Sequence, residues 1–258
     1  MRCFDKLSTT GIDGMSLTLA TQAENEPEIF ASVQGEGPSM GRPVAFLRLS
    51  RCNLACKWCD TPYTWHFEGD NRPHRDGETY DRKANQLSLD VHDVAQRIKK
   101  LGQDRLVITG GEPLLQAAKL ADMLAHLPDV SVEIETNGTV KPIARLDVLV
   151  DQYNVSPKLA HSSNPAELAL IPEMLDHWAS EPRAFLKFVI ASEGDLDEVL
   201  ALQRTHHIPP SRIFLMPEGT DSDTIRDREK WLSALCIEHG FRLSDRLHIH
   251  LFGDTRGT

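Results

Sequence analysis

The chain is expected to fold as an α/β protein on a mostly parallel sheet, and three observations carry that expectation. Apolar runs of strand length alternate with helix-period segments along most of the chain. No short-period repeat or low-complexity tract breaks the alternation. Each chemically unusual cluster of residues follows directly on an expected strand. Such alternation predicts crossover helices between parallel strands. About six or seven strands would form either an open doubly wound sheet or a barrel that does not fully close. Periodicity does not choose between the two. At 258 residues the chain lies near the upper limit for one hydrophobic core and near the usual size of an α/β barrel.

In chain order, residues 1–26 are polar and irregular and read as an N-terminal extension, leaving 27–258 as a single domain. "VAFLRLS" (44–50) is a buried strand. "LDVHDVAQRIKKLG" is a helix capped by Asp90, with Val91, Val94, Ile98 and Leu101 on one face and Gly102 as its stop. "RLVIT" (105–109) is a strand, and "PLLQAAKLADMLAHL" is a helix with Pro113 in its first turn. "VEIE", "LDVLV" running toward "YNVS", "AFLKFVI", "RIFLM" and a closing "RLHIHLF" supply further strands. Helices are expected over 172–180, 195–203 and 223–240. The long polar insertion over 66–86 reads as a solvated loop, or as a lid or a surface for an electron donor.

The placement of the odd residues is the most informative feature. A cysteine loop follows 44–50, "GGEP" follows "RLVIT", "TNGT" follows "VEIE", "SPK" follows "YNV" and "MPEGT" ends "RIFLM". Parallel α/β folds bring the C-terminal ends of their strands to one rim, where ligands bind. Motifs spread over much of the chain would therefore meet at one mouth.

Bulk composition narrows the partners. A formal net charge of −10 and 6% aromatics argue against a broad nucleic-acid surface. No stretch reads as a signal peptide or a membrane span. Five cysteines, three of them bunched, do not make a secreted disulfide framework, so a reducing cytoplasm is expected.

Cys52, Cys56 and Cys59 form a C-x3-C-x2-C run. Three soft thiolates suit a structural zinc with His66, or less well Cys236, as a fourth ligand, or an iron–sulfur cluster with one iron left open. In "GGEP", Gly110 and Gly111 fit a tight strand-to-helix turn, or a site where Glu112 faces a cationic amine. Asn137 in "TNGT" fits a turn. Lys158 is either solvated or on the rim. Gln34 and Glu36 in "SVQGEGPSMG" fit a hairpin, or a heterocycle rich in N–H donors and carbonyls. Arg48 interrupts an apolar strand and must pair with an internal carboxylate or receive an anionic ligand. Cys3 and Cys236 read as bystanders.

Together, "QGEG", "FLRLSRCNLACKWCDTPYTW", "TGGEPLLQ", "ETNGT", "NVSPK" and "LHIHLFGDTRGT" resemble the 7-carboxy-7-deazaguanine synthase family of radical S-adenosylmethionine enzymes, which belongs to queuosine and deazapurine biosynthesis. The resemblance implies a partial β/α barrel of about six parallel core strands, and a homodimer. Cys52, Cys56 and Cys59 would hold a 4Fe–4S cluster whose fourth iron is chelated by S-adenosylmethionine. Gly110, Gly111 and Glu112 would receive the methionine amine, and Ser156 and Lys158 its carboxylate. Glu135 and Asn137 would lie near the ribose, and Trp58 by the adenine. Thr61 would hold Mg2+.

The implied substrate is 6-carboxy-5,6,7,8-tetrahydropterin, met by Gln34, Glu36 and Arg48. A 5′-deoxyadenosyl radical would take the C6 hydrogen, and ring contraction with loss of ammonia would give 7-carboxy-7-deazaguanine. A low-potential electron donor such as flavodoxin is implied as well. Two rival readings are another radical S-adenosylmethionine enzyme, such as a glycyl-radical activating enzyme, and a non-catalytic zinc-stabilised α/β binding protein.

Overall fold

In the computed structural model, which describes residues 15–258, eleven strands join in one sheet. They are β1 (Ser16–Ala23), β2 (Glu26–Pro27), β3 (Ile29–Val33), β4 (Pro43–Leu49), β5 (Gln86–Asp90), β6 (Arg105–Gly110), β7 (Ser131–Thr136), β8 (Gln152–Val155), β9 (Ala184–Ile190), β10 (Ile213–Pro217) and β11 (Arg242–Leu243). The helices are α1 (Arg82–Asn85), α2 (Val91–Lys100), α3 (Ala117–Leu124), α4 (Ala144–Asp147), α5 (Ala166–Ala169), α6 (Pro172–Ser180), α7 (Asp195–His206), α8 (Ser222–His239) and α9 (Leu247–Phe252).

The order across the sheet is β11-β10-β9-β8-β7-β6-β4-β1-β2, with β3 on β4 and β5 on β1. Six strands, β4, β6, β7, β8, β9 and β10, pair parallel in chain order, with β5 set aside on β1, and the two-residue β11 extends them. A doubly wound sheet would reverse at a switch point. No reversal occurs among these strands, so right-handed crossovers put the helices on one face. The sheet retains two ends instead of closing. The fold is a partial β/α barrel.

Alternation along each strand sorts residues between the two faces. Leu47, Ile108, Ile134, Tyr153 and Leu186 join Val94, Leu120, Trp178, Val199 and Leu232 of the helices in one continuous apolar core. The intervening Arg48, Thr109, Glu135, Asn154 and Lys187 point the other way and line one cavity. A smaller apolar cluster of Phe30, Val44, Phe46 and Val107 lies on this inner face.

Several expected elements stand where local signals put them. The Asp90 side chain accepts from His92 N and caps α2, and Gly102 ends the run at φ +68°. Pro113 opens a 3-10 turn, Pro113–Gln116, that leads into α3.

Others differ. Part of the expected irregular extension is β1, whose Leu17 and Leu19 are fully buried in the main core. Its small polar residues hide a strand-period alternation. Residues 1–14, with Cys3, lie outside the described residues. "LDVLV" is not a strand: Leu146 and Val150 are buried while Val148 is 79% exposed, a helical spacing that α4 and the following turn satisfy. "RLHIHLF" forms α9, which buries Ile249 and exposes Leu251 and Phe252; the edge strand is Arg242–Leu243 instead. The insertion is not a solvated loop throughout. His66 and His74 are buried, His74 Nε2 lies 2.8 Å from the Cys59 carbonyl, and α1 and β5 begin within its last residues. Among the described residues no helix is long and apolar enough to cross a membrane.

Candidate active site

The cysteine loop leaves β4 at the rim of the sheet, and all three of its thiols are free and line a cavity of about 350 Å³. Each sulfur has a polar neighbour: Asn137 Nδ2 donates toward Cys52 Sγ at 3.8 Å, Asn164 Nδ2 toward Cys56 Sγ at 3.3 Å, and Thr61 Oγ1 lies 3.7 Å from Cys59 Sγ. Burial pushes the Cys52 thiol up to about 12 and the Cys56 thiol up to about 11, and raises Cys59. Thiols held this way ionise against a cation placed among them, and a metal-bound thiol is deprotonated outright.

The donor set fits a cluster better than a single ion. Among the described residues, the thiols form with no His, Asp or Glu a group whose ligand atoms all lie within 4.8 Å of one another. One tetrahedral zinc needs such proximity, with Zn–S near about 2.3 Å. His66, the nominated fourth ligand, sets Nδ1 2.6 Å from the Glu78 carbonyl, which would leave Nε2 for a metal, but it forms no such group with the thiols. Cys236, the other nominee, is packed in the main apolar core, so among the described residues the zinc reading lacks a fourth ligand beside the thiols.

Gly110 and Gly111 bring the end of β6 against the cysteine loop. A Cβ on Gly110 would stand 2.0 Å from the Leu49 carbonyl oxygen, and one on Gly111 would stand 2.1 Å from that of Arg51. Gly110 also has φ +127°, a region open only to glycine. The contact is closed by Gly111 N donating to Leu49 O at 3.0 Å and Glu112 N to Arg51 O at 2.9 Å. Both glycines line the cavity.

Glu112, expected as a counter-ion, lies behind the cavity wall. It is fully buried, does not line the cavity, and accepts from Leu114 N (2.9 Å), Thr136 Oγ1 (2.8 Å) and Asn137 N (2.7 Å). Burial raises its carboxyl, opposed by these hydrogen bonds. It ties "GGEP" to "TNGT".

The remaining predicted cofactor residues come together. Lys158 Nζ donates to Ser156 Oγ at 2.8 Å and sits 5.5 Å from the Trp58 ring centroid. Trp58 lines the cavity and stacks on His161 at 5.4 Å, and its buried Nε1 has no partner among the described residues. Asn137 lines the cavity and holds Asn53 Oδ1 at 2.9 Å. Glu135 accepts from Thr109 Oγ1 at 2.7 Å and from Gln34 Nε2 at 3.1 Å, so it reaches the predicted substrate side too.

Gln34, Glu36 and Arg48 line the same cavity. Gln34 Nε2 also donates to Glu133 Oε1 at 2.9 Å. Arg48 does pair internally, its Nε reaching Glu28 Oε1 at 2.7 Å, while Tyr63 Oη donates to the other Glu28 oxygen at 3.0 Å. Glu36 is bound by Lys187 and by Arg246 Nε at 3.1 Å, with His248 Nε2 at 3.9 Å. Burial alone would raise Glu36, but Lys187, Arg246 and His248 hold it well below the usual carboxylate range.

Sequence reasoning missed Lys187, Glu133, Arg246 and His248. Lys187 interrupts "AFLKFVI" as Arg48 interrupts "VAFLRLS", and that shared pattern was an available signal. Arg246 and His248 were hidden by reading their segment as a strand.

Comparison with known proteins agrees with this geometry. The Radical SAM superfamily matches residues 47–229. The chain is 36% identical to a 7-carboxy-7-deazaguanine synthase of Pyrobaculum aerophilum, over 89% of this chain and 95% of that one. It is 34% identical to the enzyme of that name from Rhodopirellula baltica, over 90% and 87%. For the Halobacterium salinarum enzyme the figures are 32%, 98% and 97%. The crystal structure of QueE from Escherichia coli superposes with a TM-score of 0.64 at 26% identity, covering 91% of this chain and 96% of that one. This chain therefore belongs to the radical S-adenosylmethionine superfamily and, within it, to the 7-carboxy-7-deazaguanine synthase family.

Proposed function

We propose that the chain converts 6-carboxy-5,6,7,8-tetrahydropterin to 7-carboxy-7-deazaguanine with loss of ammonia, using a 4Fe–4S cluster, S-adenosylmethionine and Mg2+. The observation that carries this reading is one cavity lined both by three free thiols and by the charged set Glu36, Arg48, Lys187 and Arg246. A glycyl-radical activating enzyme would give that second set no role.

Cys52, Cys56 and Cys59 would hold three irons. When bound, the cluster and S-adenosylmethionine supply the radical chemistry. The chain's own residues orient the reactants and exclude water. Lys158 and Ser156 offer donors to a carboxylate, and Gly110 and Gly111 give an amine a close approach to backbone. Thr61, which lines the same cavity, would contribute one oxygen to Mg2+, a hard cation that takes oxygen ligands.

Toward the pterin, Glu36 stays ionised and accepts from N–H groups, and Arg48, fixed through Nε by Glu28, meets the carboxylate. A cation–π contact from Arg256 to Tyr63 (3.5 Å) borders the same cavity. We further propose a homodimer, a cytoplasmic setting and a low-potential donor such as flavodoxin; the family and the strongly reducing step support these.

Equilibrium titration under anaerobic conditions tests the substrate assignment. The native chain should bind 6-carboxytetrahydropterin, and Glu36→Gln should weaken it by about tenfold, the scale of one charged hydrogen bond. No binding to the native chain would remove the pterin reading while leaving the cluster reading intact.

A further inference from the structure

We propose that Arg246 is a positioning residue that locks the substrate-reading loop to the cluster loop, so that the two halves of the active site move as one body. The proposal rests on the pterin reading above for its functional consequence, but its geometry does not.

Arg246 is 5% exposed and reaches three loops that follow different strands. Its Nε donates to Glu36 Oε1 at 3.1 Å, after β3. Its two terminal nitrogens donate to Asp60, after β4, and to the Gly219 carbonyl, after β10. Asp60 lies between Cys59 and Thr61. One guanidinium thus joins the carboxylate assigned to the pterin with the residue flanked by a cluster thiol and the Mg2+ hydroxyl.

The side chain is suited to this and few others are. A guanidinium presents five donors in a planar fork, whereas an ammonium is a point charge on a flexible stem. Burying it requires partners, and two carboxylates and a carbonyl supply them. Truncating it would leave Glu36 to Lys187 and would leave Asp60 without its strongest cation.

Flanking contacts seat the same segment on the substrate loop. Leu247 N donates to Gly35 O at 2.9 Å, and Gly37 N donates to Ser244 Oγ at 2.9 Å. A Cβ on Gly35 would stand 2.1 Å from His248 Nδ1, so only glycine lets the segment close this far. The strap fixes one loop, and Arg246 carries the constraint across to the other.

Two readouts test the lock, the first needing neither cluster nor pterin. Hydrogen exchange is followed on cluster-free native chain and on Arg246→Lys, which keeps the charge and loses the fork. Exchange should accelerate by about tenfold over both 34–41 and 57–64, with α3 and β7 unchanged. Acceleration confined to α9, or none, would overturn the proposal. If Arg246→Lys proves too unstable to study, Asp60→Asn must still loosen 34–41 at a distance, and failure to do so overturns it equally.

The second readout is the ratio of 5′-deoxyadenosine to 7-carboxy-7-deazaguanine on reconstituted protein. It should rise about tenfold in Arg246→Lys, because cofactor cleavage continues while the substrate is held out of register. An unchanged ratio contradicts the lock. Failure of the native chain to bind the pterin bears on the substrate reading alone, since the exchange result still decides the lock.

Discussion

The two faces of the parallel sheet are made by the same strands and do opposite work. On the helix-covered face, Leu47, Ile108, Ile134, Tyr153 and Leu186 pack at 0% exposure in one apolar core. One residue further along each strand, the inner face carries Arg48, Thr109, Glu135, Asn154 and Lys187. Parallel strands covered on both sides read as unbroken apolar runs. A sheet covered by helices on one side only can put ionised groups on the other, provided each finds a partner. Here Arg48 has Glu28, and Lys187 has Glu36. Stability and recognition are separated by a single residue of register.

Substitutions on each face should therefore fail differently. Cys56→Ala, at the rim, should abolish both cluster content and turnover while leaving the thermal unfolding of the cluster-free chain almost unchanged; iron and sulfide analysis beside melting curves of the two cluster-free proteins checks this, and full turnover in that variant would refute the cluster assignment. Leu186→Ala, on the apolar face, should cost about 3 kcal/mol of stability through the cavity it leaves. Its folded fraction should still bind pterin with native affinity, which denaturant titration and calorimetry together can show.

Glu112→Gln sits between these extremes. An amide oxygen cannot replace a carboxylate that accepts three hydrogen bonds, so about 2 kcal/mol of stability should be lost. The affinity for S-adenosylmethionine should change less than in Lys158→Ala. A larger affinity loss for Glu112→Gln would return that carboxylate to the cofactor site.

The smallest effect is expected away from both faces, where burial and then the Asp245 carboxyl push Glu229 up to about 7. A carboxyl raised in the fold favours the protonated form, so its contribution is complete below the unfolded value of about 4.3 and fades as pH rises through 7. Glu229→Gln should consequently melt about 2 °C above the native chain at about pH 8, with the difference gone near about pH 4. Equal melting at both pH values would contradict the shift.

Much of this separation was legible beforehand. The helix caps, the strand-then-motif rhythm and the cysteine spacing are local signals, and the thiols, Trp58, Asn137, Ser156 and Lys158 line one cavity, as motifs at the C-terminal ends of parallel strands should. Arg48 betrayed the inner face because one charge in an apolar strand demands a partner. What stayed hidden was what depends on distant pairing. The roles of Lys187 and Arg246 appear only when Glu36 is beside them, 151 and 210 positions away. Glu112 looked free because its three donors include Thr136, at the end of the neighbouring strand β7, and Asn137 just after it. In β1, Leu17 and Leu19 gave too short an alternation to stand out until the sheet supplied β4 and β5 as neighbours.

The most direct test of the account is one anaerobic turnover on cluster-reconstituted protein with S-adenosylmethionine, reductant, Mg2+ and 6-carboxytetrahydropterin, its products identified by mass spectrometry. The account predicts 7-carboxy-7-deazaguanine together with 5′-deoxyadenosine. Formation of 5′-deoxyadenosine alone would contradict the assignment of the inner face to the pterin, and formation of neither on protein with a verified cluster would contradict the radical reading itself.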